Sequence, residues 1–273
     1  PPAGALPVCS LGHVPWNGLL VERLLFESEP GVPIPGWFIR PEQEAHALPA
    51  ILALSHEGKA AALELAAELA RHGVAVLAID VRGRGETAAD SPSPNDRDVV
   101  HAADCLMLGR WLFTMRLYDA ACAFEALLAR RDVDADRAGV AGLGVEAGLL
   151  ALHLAALEPR VAAAAVHGGL TSFAGLVLNE RHAHSLTVFI PAALWDYDLP
   201  DAAALVAPRP LLIANSDKGR CCWPGWWTNS GGRCRQETLP GAIVRRSTSM
   251  RHQACPCGWP CAMPSARTSW WIG

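Results

Sequence analysis

Short apolar runs of strand length recur along residues 20–218, and stretches with helical spacing separate them. Ala50–Ser55 and Val74–Ile79 are apolar almost throughout, as expected of strands buried on both faces, and the second closes on Asp80. Ala138–Ala141, Val161–Val166 and Pro208–Ala214 repeat the pattern. Between the first two runs, Lys59–Arg71 carries Leu63, Leu65, Ala66 and Leu69 at helical positions, with Gly73 beyond its end. Ala102–Arg130 predicts a long helix interrupted near Gly109, and Glu146–Leu157 predicts another. Ahead of these, Val21–Phe26 and Ile34–Ile39 flank Glu29-Pro30-Gly31 and predict an antiparallel hairpin. Pro33 and Pro35 would confine its second strand to a sheet edge.

Strand and helix thus alternate with short connectors. Right-handed crossovers then place helices on both faces of a mostly parallel central sheet, an α/β fold. Residues 1–19 are left as an N-terminal extension, and 20–218 form the domain. The pattern stops near Gly219. Residues 219–273 are rich in Arg, Gly, Pro, Ser, Cys and Trp, and hold Cys221, Cys222, Cys234, Cys255, Cys257 and Cys261. That tail reads as a small module or as a frame translated out of register, and the sheet would be truncated or altered after the strand at 209–215.

Composition narrows the classes of function. A net charge of −4, with no basic stripe carrying aromatics, gives no case for nucleic acid. No uncharged apolar run is long enough to span a membrane. The opening Pro-Pro-Ala-Gly shows neither an initiator Met nor a charged-then-apolar leader, so no signal peptide is expected there and the compartment stays open.

Four stretches carry the chemistry: Leu54-Ser55-His56-Glu57-Gly58, Asp80-Val81-Arg82-Gly83-Arg84-Gly85-Glu86-Thr87, Asp136-Arg137-Ala138-Gly139-Val140-Ala141-Gly142-Leu143-Gly144, and Pro208-Arg209-Pro210-Leu211-Leu212-Ile213-Ala214-Asn215-Ser216-Asp217. In this order and spacing they resemble the α/β-hydrolase superfamily, in particular its branch of acetyl xylan esterases and dienelactone hydrolases. The resemblance implies hydrolysis of carboxylic esters by a serine, with histidine as base and aspartate as orienter. Small acyl esters or acylated sugars would be the substrates, and no cofactor is implied. The backbone N–H of Gly58 or Lys59, with that of Val145, would form the oxyanion hole. Arg82 would pair with loop carboxylates in a structural role.

Counted from Arg137, the nucleophilic serine falls on Gly144, which has no side chain to attack with. Counted as G-x-Nu-x-G, the stretch Gly144–Gly148 centres on Glu146, so that either a carboxylate nucleophile or an acidic residue in a first helical turn occupies the position. Asp217 is the triad acid or its neighbour, because many members carry a second Asp where this chain has Gly219. His252 lies at a compatible distance for the base but within the unusual tail. Two further readings use the same residues. Gly142-x-Gly144-x-x-x-Gly148 after a strand resembles a dinucleotide turn, although the next strand ends in His167-Gly168-Gly169 where an acid is wanted. His252, Cys255, Cys257 and Cys261 could hold zinc, but in no common spacing. The resulting expectation is an esterase-like domain impaired as a serine hydrolase, the alternatives being a hydrolase using Glu146 and a non-catalytic binding module. An unpaired edge beside Leu211–Ala214 also predicts self-association.

Overall fold

A computed structural model describes residues 6–43, 46–89, 94–178 and 184–214. Among these, eight strands form one sheet: β1 (Val8–Trp16), β2 (Leu19–Glu29), β3 (Val32–Pro41), β4 (Leu48–Ser55), β5 (Ala75–Ile79), β6 (Val133–Leu143), β7 (Ala164–His167) and β8 (Leu211–Ala214). Their spatial order is β1-β2-β3-β5-β4-β6-β7-β8. The pairs from β1 to β5 are antiparallel, and those from β5 through β4, β6 and β7 to β8 are parallel. Helices α1 (Leu63–Arg71), α2 (Pro94–Met107), α3 (Leu112–Leu128), α4 (Val145–Leu157), α5 (Phe173–Val177) and α6 (Leu199–Val206) fill the connections. The α/β order expected from the hydrophobic pattern is therefore the order found.

Alternate side chains of the central strands feed two cores. Leu52, Leu54 and Leu77 join Phe113, Phe124 and Leu127 of α3 and the nearly all-buried α4 on one face. Ala53, Val76 and Ala78 meet Ala66, Ala67 and Ala70 of α1 on the other. Leu63 and Leu69 of α1 pack at the margin of that second layer.

Local departures from the sequence reading have physical causes. The strand β1 lies within the stretch read as an extension, and nearly all of its residues are exposed, so it carries no apolar alternation to reveal it. The proline-bearing strand β3 is internal, between β2 and β5. Its pairing with β5 covers only Gly36–Ile39, so Pro33 and Pro35 never need to donate on that side, and the Pro35 carbonyl accepts from the Asp80 N–H at 3.0 Å. The break near Gly109 is real: α2 ends at Met107 and α3 begins at Leu112. No helix among the described residues is long and apolar enough to cross a membrane.

Candidate active site

The parallel strands all deliver their last residues to one edge of the sheet, where the described parts of the motif stretches come together. At the end of β6 the chain turns directly into α4, and Gly144 is the single residue between them, at φ 91° and ψ 172°. The turn is held from both sides. The Gly144 N–H donates to the His167 carbonyl at 2.8 Å, and the Leu143 carbonyl accepts from the His56 N–H at 3.0 Å. A Cβ at Gly144 would stand 2.9 Å from the Cβ of His56, in a backbone conformation that side chains rarely adopt. Of the two ways of counting the motif, the count from Arg137 therefore falls on the turn itself, and the other falls on the second residue of α4.

That second residue, Glu146, is 1% exposed. Its Oε2 accepts from Arg84 Nη2 at 2.6 Å and Nε at 3.0 Å, and its Oε1 accepts from Arg116 Nη1. Arg84 Nη1 also donates to Asp98 Oδ1 at 2.8 Å. Two guanidinium groups and two carboxylates thus cancel in a buried cluster assembled from the loop after β5, α2, α3 and α4. Burial alone would raise the Glu146 carboxyl, but Arg116, then His56 and Arg84, hold it well below the usual carboxylate range. The His56 ring lies against the same carboxylate, with Nδ1 3.6 Å from Oε2, beyond hydrogen-bond length. Both oxygens of the Glu146 carboxylate thus already accept from cations.

The expected oxyanion donors divide. The Gly58 N–H is 3.2 Å from the Ser55 carbonyl, and the Lys59 N–H is 2.6 Å from Asp80 Oδ1, so both already have acceptors. The Val145 N–H, first in α4, has no acceptor among the described residues, as a helix N-terminus leaves it. The Lys59 side chain was not foreseen at all. Only 2% exposed, it places Nζ 2.5 Å from both Asp80 Oδ2 and Glu86 Oε1 and 5.0 Å from the centre of the Trp37 ring. Gly85 makes this possible, since a Cβ there would lie 2.2 Å from the Asp80 carboxylate. Arg82 does find carboxylates, but in Glu29 at the end of β2 and Asp119 on α3 rather than in its own loop.

Asp217 and His252 lie outside the described residues, as do Cys255, Cys257 and Cys261. Among the described residues no group of His, Cys, Asp or Glu is arranged to hold a metal ion. Sequence reasoning missed Asp98 and Arg116 altogether, and missed that His56 and Arg84, within the quoted stretches, converge on Glu146. One signal existed: Arg116 stands on the face of α3 that Leu112, Phe113, Ala120 and Ala123 mark as apolar, and a cation there requires a buried anion.

A mostly parallel sheet whose strand-turn-helix elbow opens beside the loops after β4 and β5 is an α/β-hydrolase fold. The model of the acetyl xylan esterase (AXE1) family matches residues 15–178, and the chain belongs to that family of carboxylic ester hydrolases. A Bacillus subtilis (strain 168) protein described as a hydrolase, YtaP, is 26% identical over 209 residues, covering 71% of this chain and 68% of its own. Among solved structures, a Bacteroides fragilis protein titled an acetyl xylan esterase superposes with a TM-score of 0.70 at 16% identity, covering 77% of this chain. The chain spans 63% of that structure's length. The acetyl xylan esterase from Paenibacillus sp. R4 gives a TM-score of 0.57 at 21% identity, with 76% and 72% of the two chains covered. A glucuronoyl esterase from Solibacter usitatus gives 0.55 at 17% identity, with 79% and 69% covered.

Proposed function

We propose that this chain is an esterase-family domain with little or no serine-hydrolase activity. The observation that carries the reading is Gly144 itself: the residue between β6 and α4, where the fold would present its nucleophile, has no side chain and adjoins the His56 Cβ. The position of Glu146 supports the same conclusion. A covalent role would require one oxygen to leave its guanidinium partners, and the buried cluster opposes that. Losing a nucleophile that acts as one unit with its base removes most of the rate. Any ligand the elbow retains is a small acyl ester or an acylated sugar, carried over from the family.

The test is hydrolysis of p-nitrophenyl acetate by the purified chain, alongside labelling with a fluorophosphonate probe. The expected result is no rate above buffer and no label. The Gly144→Ser variant should gain neither, because its Cβ would stand only 2.9 Å from the His56 Cβ. A rate above buffer that accompanies serine labelling would overturn the proposal. A rate accompanied by covalent mass-labelling of Glu146 during turnover, with no serine labelled, would instead identify the carboxylate as nucleophile.

A further inference from the structure

The helix α2 is amphipathic, yet it lies with its apolar side outward. Asp98, His101, Ala102 and Cys105 recur at three, four and seven residues and so share one side. That side faces the protein: Asp98 and Ala102 are buried, and His101 and Cys105 are partly buried. His101 Nδ1 stands 3.7 Å from the place that a Cβ on Gly83 would take, so the helix rests on the loop after β5. Its principal neighbours otherwise are α3 and the single turn Leu186–Val188. The opposite side carries Val99, Val100, Leu106 and Met107, which are 44%, 54%, 42% and 86% exposed. From Asp98 to Met107, Ala102 is the only apolar side chain that is fully buried. Hydrophobic burial therefore does little to hold this helix in place.

Charge supplies the hold instead. Asp98 Oδ1 accepts from Arg84 Nη1 at 2.8 Å and lies 4.0 Å from Arg116 Nη2, a buried nitrogen with no hydrogen-bond partner among the described residues. Arg84 keeps Glu146 through Nε and Nη2 whether or not Asp98 is beside it. Lifting α2 thus breaks one bond of the cluster and leaves those of Glu146 intact. The carboxylate and the guanidinium edge both regain water as they part, which costs far less than stranding either charge in the core. The chain also has a joint for the movement. Gly109, between α2 and α3, sits at φ 69°, and nothing lies within 4 Å of the place its Cβ would take. Just beyond it, Arg110 Nη2 donates to Glu29 Oε1 at 2.6 Å, so a swing of α2 stops at the glycine and does not pass into α3. Low apolar burial, an ionic anchor and an open joint mark an element that opens before the rest of a fold. We infer that α2 is a lid on the Arg84–Glu146 cluster, latched by Asp98 and hinged at Gly109. Its opening bares Arg84 Nη1 and Arg116 Nη2 beside the first turn of α4.

Hydrogen exchange of the full chain, read by mass spectrometry in water and in sub-denaturing urea, tests this. Protection is compared between residues 98–107 and 145–157 of the same sample, so the outcome is separate from that of the esterase assay. The expected result is exchange in 98–107 about a hundredfold faster or more than in 145–157, with little dependence on urea because lid opening exposes little surface. Asp98→Asn keeps the side-chain shape and removes the charge of the latch, and should speed exchange in 98–107 by about tenfold or more. Gly109→Ala places a methyl in open space at positive φ, so it keeps the matter decidable should Asp98→Asn fail to fold. Strain at the closed hinge should speed exchange of the same segment by about fivefold or more. Exchange in 98–107 that matches 145–157 in rate and urea dependence would overturn the proposal, because α2 would then open only with the whole domain. So would variants that leave exchange in 98–107 unchanged.

Discussion

Replacing Glu146 by Gln keeps the shape of the side chain and removes one charge from a cluster that is otherwise neutral. Arg84, Arg116, Asp98 and Glu146 have side chains only 6%, 0%, 6% and 2% exposed. After the substitution the two guanidinium groups face a single carboxylate, and Asp98 Oδ1 is 4.0 Å from the nearer Arg116 nitrogen. Arg116 would keep its hydrogen bond from Nε to the Arg82 carbonyl at 2.9 Å but no close anion. Removing one partner of a buried ion pair typically costs about 3–5 kcal/mol. For a urea dependence of about 2 kcal/mol per molar, the unfolding midpoint would fall by about 1.5–2.5 M. Urea denaturation followed by circular dichroism measures this directly. Adding Arg116→Met to Glu146→Gln should recover part of the loss, because the uncompensated cation goes with it. A single variant within about 0.5 kcal/mol of the parent would refute the claim that the cluster anchors the elbow.

Further expectations follow from the same contacts. Since the Glu146 carboxyl is held below its ordinary value of 4.5, its contribution is complete above that pH and is lost as the pH falls through the lower folded value. Acid titration of the parent should therefore show a destabilisation that Glu146→Gln lacks. His153, 6% exposed, must donate from Nδ1 to the Leu149 carbonyl at 2.7 Å, so Nε2 accepts from the Tyr197 hydroxyl at 2.8 Å. Tyr197→Phe leaves that nitrogen without its donor and should cost about 1–3 kcal/mol by thermal or chemical denaturation; an unchanged midpoint would discard the pairing. Gly85→Ala should destabilise by at least about 2 kcal/mol, because the new methyl meets the Asp80 carboxylate at positive φ, and retained stability would show that the Lys59–Asp80 pair can shift aside. The last strand of the sheet among the described residues, β8, leaves Leu212 38% exposed, and self-association through it predicts a mass by light scattering that rises with concentration. A mass that stays monomeric counts against it.

The parallel core was legible because its strands are buried on both faces: the apolar runs at 50–55 and 74–79 fall within one or two residues of β4 and β5. Segments lacking that signal were not legible. The exposed strand β1 has no apolar face, and the prolines of β3 misled because they sit beyond its short pairing with β5. At the site, Gly144 could be placed by counting, since the turn between β6 and α4 is fixed by the end of an apolar strand. The company of Glu146 could not, because Arg84 and Arg116 reach it from 62 and 30 residues away. Sequence spacing carries no information about contacts made through the fold. Lys59 was read for its backbone N–H, whereas its side chain and its N–H both serve Asp80.

The separation of those partners along the chain also bears on time. Arg84, Asp98, Arg116 and Glu146 come from four different segments, and their charges compensate one another only when α2, α3, α4 and the loop after β5 have all arrived. A folding transition state in which any of these segments is still absent would gain little from the cluster, because each charge would keep its water. The native state, once assembled, must break all of these bonds to escape. Weakening the cluster should then speed unfolding while leaving the folding rate nearly unchanged. On this reasoning the buried charges would act as a late-closing clasp, and stopped-flow unfolding of Glu146→Gln that is no faster than the parent would count against it.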